Sequence, residues 1–191
     1  LVEKMSILFI KNMVCNRCLK VVQDEMNKLL FEVKQIKLGE VTIEKELTSI
    51  EREALQGALL PLGFQIIDDK KGIIIEQIKN VIINLVHYED NDAKNKLSAI
   101  LSKKLNHDYN YLSNLFSEVE ATTIEKYFIA QKVEKVKELL VYDELSLSEI
   151  AFQLNYSSVA YLSNQFKKVT GLTPSHFKQI REDKRSPLDK V

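Results

Sequence analysis

The spacing of apolar side chains changes character once along this chain. Up to about residue 72, short β-branched and aromatic runs alternate with helical spacing, and beyond residue 73 the period is helical throughout. Residues 6–11 form a run rich in Ile and Phe, and residues 33–38 form a second strand candidate. Between them, Val21, Val22, Met26, Leu29 and Leu30 recur at helical spacing over residues 18–30. Gly39-Glu40 makes a short turn into Val41-Thr42-Ile43, where Val41 and Ile43 share one face. Thr48 followed by Glu51 is a capping-box signature for a second helix, with Ala54, Leu55, Ala58 and Leu59 inward and Pro61 and Gly63 ending it. Residues 64–67 supply a last strand. The order is βαββαβ in under 70 residues, a split βαβ pattern.

After Gly72, the residues Ile74, Ile78, Val81, Ile82 and Leu85 fall on one helical stripe, although their β-branched character leaves a strand start near Ile73 open. The polar stretch 89–92 reads as a loop. Short helices follow, announced by caps at Asp108, Thr122 with Glu125, Ser146 with Glu149, Ser157, and Thr173 with Pro174 at the first helical position. A longer helix runs from Ile124 to Val141. The expected fold is therefore α+β, with a ferredoxin-like N-terminal domain over residues 1–72 and an all-α domain over residues 73–191.

Composition changes this picture little but removes whole classes. The chain has 191 residues, 45% hydrophobic and 28% charged, with 27 basic and 27 acidic side chains and 2 Cys. That apolar content and charge balance exclude a disordered chain, and two cysteines exclude a disulfide scaffold. No apolar run approaches the roughly 18–20 residues that span a bilayer, so a soluble protein without a membrane partner is expected. No leader pattern opens the sequence, and the two cysteines stand three apart, which points to a reducing cytoplasm; residues 1–4 are given no meaning. The zero net charge hides an asymmetry. From Asn155 onward seven basic residues face three acidic ones, a modest positive field suited to a polyanion.

The strongest organisational feature is self-similarity at an offset of fifty. Tyr111-Leu112-Ser113-Asn114-Leu115-Phe116 recurs as Tyr161-Leu162-Ser163-Asn164-Gln165-Phe166, with Val119, Thr123 and Tyr127 matching Val169, Thr173 and Phe177. Leu105-Asn106 matches Leu154-Asn155 at an offset of 49, so the second unit has a turn one residue longer. Each unit is helix, turn, helix. An α-hairpin pair built only for packing would repeat in the same way, but the second helix of each unit carries small polar residues at its N-terminal end, and Lys167-Lys168 follows the second. A helix that enters the major groove while nearby cations meet phosphate has that arrangement.

Residues 146–151 (SLSEIA), 155–158 (NYSS), 161–168 (YLSNQFKK) and 171–177 (GLTPSHF) resemble the C-terminal signature of AraC/XylS-type transcriptional regulators, over roughly residues 75–180. The resemblance implies two helix-turn-helix units joined by a linker helix and reading successive major-groove segments. It places base-edge contacts on Asn110, Ser113 and Asn114 in the first unit and on Val159, Ala160, Ser163 and Asn164 in the second. Ser157, Lys167, Lys168 and Arg181 would meet phosphate. Ser117-Glu118 stands where the second unit has Lys167-Lys168, so the first unit should grip phosphate less, with Lys103 and Lys104 as compensation. Double-stranded operator DNA is the implied partner, with RNA polymerase and a second copy of the chain as further ones. Because Asn114 and Asn164 are equivalent, the operator should hold two related adenine-bearing elements about 10 bp apart. Tyr111, Leu112, Phe116, Leu162 and Phe166 are assigned to the core.

Met13-Val14-Cys15-Asn16-Arg17-Cys18 lies between the first strand and the first helix. A Cys-x-x-Cys pair alone fits metal, redox or neither, and a helix N-terminus lowers a thiol pKa. With the βαββαβ order, the segment resembles heavy-metal-associated domains, whose motif is Met-x-Cys-x-x-Cys; the glycine usual before that Met is Asn12 here. In that family the Met packs inward. The three His (His87, His107, His176) lie beyond the first domain, so Cys15 and Cys18 offer two soft thiolates, which suit Cu(I) or Ag(I) rather than four-coordinate zinc. The expected function is a cytoplasmic, sequence-specific DNA-binding regulator responding to Cu(I) or Ag(I). The alternatives are an N-terminal domain that is a metal-independent dimerisation or docking module, a metal-delivery protein, and a thiol oxidoreductase. No Ser/His/Asp constellation, phosphate loop or carboxylate pair is evident, so an enzyme is not expected.

Overall fold

The computed structural model describes residues 5–88, 96–142 and 144–180. The fold is mixed α+β, with a small sheet and its helices first and helices alone afterwards. The strands are β1 (Ser6–Lys11), β2 (Val33–Lys37), β3 (Glu40–Ile43) and β4 (Gln65–Ile67), in the order β2-β3-β1-β4 and antiparallel throughout. β1 is central, pairing Ser6 with Ile43 on one side and Lys11 with Gln65 on the other. Alternation sends Leu8, Ile10, Val41 and Ile43 into the core. There they meet Val22 and Met26 of α1 (Asn16–Lys28) and Leu55 and Leu59 of α2 (Ser49–Leu59).

Both helices end in ways that local chemistry explains. The Thr48–Glu51 capping box at α2 forms as the sequence predicts. A short 3₁₀ turn (Leu60–Leu62) carrying Pro61 follows, and Gly63 at φ +85° closes it, its N–H donating to Leu60 and that of Phe64 to Leu59. α1 begins two residues earlier and ends two earlier than expected, and Leu30 is not inward but 88% exposed at φ +60°. The cause is a Schellman closure, in which Leu30 N–H donates to Asn27 and Phe31 N–H to Met26. It folds Phe31, rather than Leu30, onto the core.

α3 (Lys70–His87) is helical throughout, which resolves the open choice at Ile73. Gly72 lies inside it. Asp69 caps its start by accepting the Gly72 N–H at 2.6 Å, and a Cβ on Gly72 would stand 2.4 Å from that carboxylate. The chain divides into two compact units, Leu1–Asn80 and Val81–Val191, so the division falls within α3 rather than at the change of pattern near residue 72. The loop expected over residues 89–92 lies outside the described residues.

The second unit contains α4 (Leu97–Leu105), α5 (Tyr109–Glu120), α6 (Ile124–Tyr142), α7 (Leu147–Gln153), α8 (Val159–Thr170) and α9 (Pro174–Ile180). Asp108 caps α5 and the Ser146–Glu149 box caps α7, both as expected. Two caps move by one residue. Thr123, not Thr122, receives the Lys126 N–H at the start of α6, and Ser158, not Ser157, receives that of Tyr161 at the start of α8. In each case the cap stands three residues before the donating N–H, and the helix starts one residue later than the composition suggested. Val133 and Val136 of α6 share one core with Ile150 of α7, Leu162 and Phe166 of α8 and Phe177 of α9, the last two rings lying edge-to-face at 5.5 Å. The equivalent rings of the first pair, Phe116 and Tyr127, lie 5.6 Å apart. Among the described residues no helix is long and apolar enough to cross a membrane.

Candidate nucleic-acid interface and thiol pair

The two repeats fold alike because the same residue types recur at their turns. Asn106 closes α4 at φ +55° and Asn155 closes α7 at φ +50°, left-handed positions that Asn tolerates better than other side chains. After Asn106 the next helix starts at the third residue, and after Asn155 at the fourth. The additional residue is Tyr156, whose N–H donates to Ala151 and whose ring is buried beside Lys132. The Lys132 ammonium lies 3.9 Å from that ring centre, and burial holds its pKa down to about 8. The Tyr156 hydroxyl is buried without a hydrogen-bond partner, and burial raises its pKa.

α5 and α8 each bury one stripe and expose another. Leu112, Leu115 and Phe116 face inward on α5, as do Leu162 and Phe166 on α8. Asn110 and Asn114 are exposed one turn apart on α5, and Ala160, Asn164 and Lys168 continue the matching stripe on α8. Ser113, Val159 and Ser163 are half-buried at the stripe's border, while Ser157 and Lys167 are exposed. Arg181 lies outside the described residues. With Ser158 engaged as cap, Ser157 is left at the surface just before α8.

Tyr111 corrects the sequence assignment. It is 45% exposed, not core, and its repeat partner Tyr161 is 53% exposed. Each stands one residue before a buried Leu, about 100° round the helix from it, at the rim of the buried stripe. Tyr111 packs on His107 at 5.3 Å and Tyr161 on Tyr156 at 6.1 Å, which puts an aromatic at the same rim of both helices. The Tyr109 hydroxyl donates to Glu125, tying the start of α5 to that of α6. Burial raises the Tyr109 pKa, and the hydrogen bond lowers that of Glu125. The charge contrast between the helices is real at the surface: Glu118 is exposed on α5 where Lys168 is exposed on α8.

In the first unit, Cys15 is the N-cap residue of α1 and Cys18 lies in its first turn. Both are half-buried free thiols with sulfurs 3.1 Å apart. Met13 packs fully inside the core. Asn12 takes φ +70°, a conformation that favours glycine and that Asn accepts at modest cost. The expected lowering of thiol pKa does not hold for Cys18. Burial, then the hydrogen bond with Cys15, raises it, outweighing the backbone N–H groups at the helix start. Among the described residues no cluster of three or more His, Cys, Asp or Glu could hold a metal. The convergent thiols therefore fit a cation content with two soft ligands and do not fit tetrahedral zinc.

Comparison with known proteins bears on the helical unit. Residues 101–180 match the family described as "Helix-turn-helix domain". The HTH-type transcriptional regulator YtdP of Bacillus subtilis (strain 168) is 25% identical over 104 residues, covering 54% of this chain and 14% of that protein. The xylose operon regulatory protein of Escherichia coli (strain K12) is 32% identical over 72 residues, covering 38% of this chain and 18% of its own. Among solved structures, the C-terminal domain of AraT, a response regulator from Geobacillus stearothermophilus, superposes with a TM-score of 0.51 at 22% identity, covering 62% of this chain and 95% of that one. The chain thus spans less than a fifth of the length of either curated relative. Residues 101–180 thus resemble a helix-turn-helix domain, and the curated proteins matched here are named as regulators of transcription.

Proposed function

We propose that this chain is a sequence-specific DNA-binding transcriptional regulator of the AraC family. The observation that carries the proposal is the duplication of an exposed Asn, Asn114 and Asn164, at the same place on two helices that each follow an Asn-closed turn. An Asn amide donates to adenine N7 and accepts from N6, about 1–3 kcal/mol of base discrimination. Ala160 offers a methyl surface to thymine, with Val159 at its border. Ser157, Lys167 and Lys168 meet phosphate and set register without reading sequence. Asn110, Ser113 and Ser163 complete the base-facing set, with Arg181 a further phosphate contact. Operator DNA is the partner, read in the cytoplasm as two adenine-bearing elements about 10 bp apart; RNA polymerase and a second copy of the chain are further partners. Selection from random DNA followed by footprinting tests this. Two related elements are expected, each losing its adenine preference when its own Asn becomes Ala, and unrelated elements would overturn it.

The finer reading is that the first unit is a ferredoxin-like domain of the heavy-metal-associated type that takes Cu(I) or Ag(I) at Cys15 and Cys18. The strand order, the inward Met13 and the 3.1 Å thiol pair support it. The cation would exchange a proton pair for two thiolate bonds, and the chain's residues hold the thiols, bury Met13 and orient the loop. A specific observation favours a second reading, a metal-independent docking module: the raised Cys18 pKa makes thiolate formation harder. Competition titration with Cu(I) separates them. One cation per chain is expected, and unchanged regulation in a Cys15→Ser, Cys18→Ser variant would favour the second reading.

A further inference from the structure

The residue that precedes the thiol motif is held from two sides. The Asn12 side-chain amide donates to the Gly63 carbonyl at 2.8 Å, fastening the motif to the close of α2. Its backbone N–H points to the Glu76 carboxylate of α3, with Oε2 at 3.5 Å. Glu76 is only 7% exposed and pairs with Lys79 at 3.3 Å. A buried carboxylate of this kind holds its place through its donors. The following turn of α3 adds polar contacts to the β2–β3 turn: Gln77 donates to Glu40 at 3.2 Å, and the Asn80 amide lies against Gly39. The same helix ends in the second unit, where the His87 ring is 3.1 Å from Gln131 of α6, the helix between the two DNA-reading pairs.

We infer that Asn12 and Glu76 form a clamp through which a soft cation at Cys15 and Cys18 changes the seating of helix α3. The inference rests on the soft-metal reading above and adds the residue through which it acts. At 3.5 Å the bond is at the long limit of hydrogen bonding, where a few tenths of an ångström decide whether it is made. Two thiolates on opposite sides of a two-coordinate cation, with metal–sulfur bonds of about 2.3 Å, would stand further apart than their present 3.1 Å. Met13 is anchored in the core, so this adjustment falls on the short backbone stretch around it, at whose start Asn12 faces Glu76. Glu76 is a positioning residue and not a ligand.

The test is hydrogen exchange of the full reduced chain with and without one equivalent of Ag(I), the probe used throughout. Exchange over residues 73–80 should change several-fold on Ag(I) binding in the parent chain. Glu76→Ala should bind Ag(I) with similar affinity but lose the exchange response, and Glu76→Gln, which keeps an acceptor oxygen, should retain it. In the metal-free chain, Glu76→Ala should also raise the rate of Cys15 alkylation several-fold, a readout independent of any cation. Ag(I) binding without a change in α3 exchange, or a full response in Glu76→Ala, overturns the clamp and leaves the metal reading standing. Absence of Ag(I) binding to the parent overturns both.

Discussion

The C-termini of α5 and α8 set up a reciprocal experiment. α5 ends in Ala121 at φ +53° and α8 in Gly171 at φ +79°, fifty residues apart and equivalent in the repeat. A Cβ on Gly171 would meet nothing within 4 Å, so any cost of adding one is a backbone cost. The left-handed region costs an L-residue about 1–2 kcal/mol. The smaller freedom of Ala in the unfolded chain returns about 0.4–1 kcal/mol. Gly171→Ala should therefore destabilise the helical unit by about 1 kcal/mol, and Ala121→Gly should stabilise it by about the same. With a urea m-value of about 1–2 kcal/mol/M for a domain of this size, the midpoints should move about 0.5–1 M in opposite directions. Circular dichroism of the full chain in urea is the assay. An Ala121→Gly variant that is neutral or less stable would refute the reasoning, because backbone strain would then not be what distinguishes the two ends.

Three further outcomes follow from the site and its supports. Lys132→Met should raise stability by about 1–2 kcal/mol near neutral pH: the fall in pKa from 10.5 to about 8 corresponds to about 3 kcal/mol at most, and the Tyr156 ring offsets about 1 of it. In the parent, between about pH 8 and 10.5 the unfolded chain keeps a proton that the folded chain has lost, so stability should rise with pH across that window and the rise should vanish in the variant. Lys167→Gln with Lys168→Gln should weaken DNA binding on all sequences alike and reduce the salt slope by about 2, whereas a loss confined to one sequence would contradict a phosphate role. Ser146→Ala, which removes the hydroxyl that accepts the Glu149 N–H and leaves the backbone N–H of residue 146 to Glu149, should cost about 1 kcal/mol in urea unfolding, and a neutral result would mean that α7 does not depend on its cap.

Much of the site was legible because periodicity and caps are local properties. The repeat at fifty residues, the Asn-closed turns, the capping boxes at Thr48 and Ser146 and the inward stripes of α5 and α8 all follow from spacing. Where expectation failed, what a stripe packs against, or how a helix closes, decided. Tyr111 was assigned to the core with Leu112 and Phe116, yet those two are buried and Tyr111 is left at the rim. Leu30 fitted a helical stripe, but the chain turns back one residue sooner so that Phe31 reaches the core. Gly72, where the helical stripe was expected to follow, lies inside α3, and its missing Cβ makes room for the Asp69 cap.

The amino-acid sequence by itself determined the two units, their strand and helix order, the duplicated helix-turn-helix and the thiol pair, because each is written in residues close enough to act through backbone propensity. Only the tertiary structure decided that Cys18 is buried enough for its pKa to rise, that Asn12 is gripped by both Gly63 and Glu76, and that the ammonium of Lys132 rests on Tyr156. Those outcomes depend on desolvation and on contacts across 24 to 64 positions of chain, and no local pattern carries either.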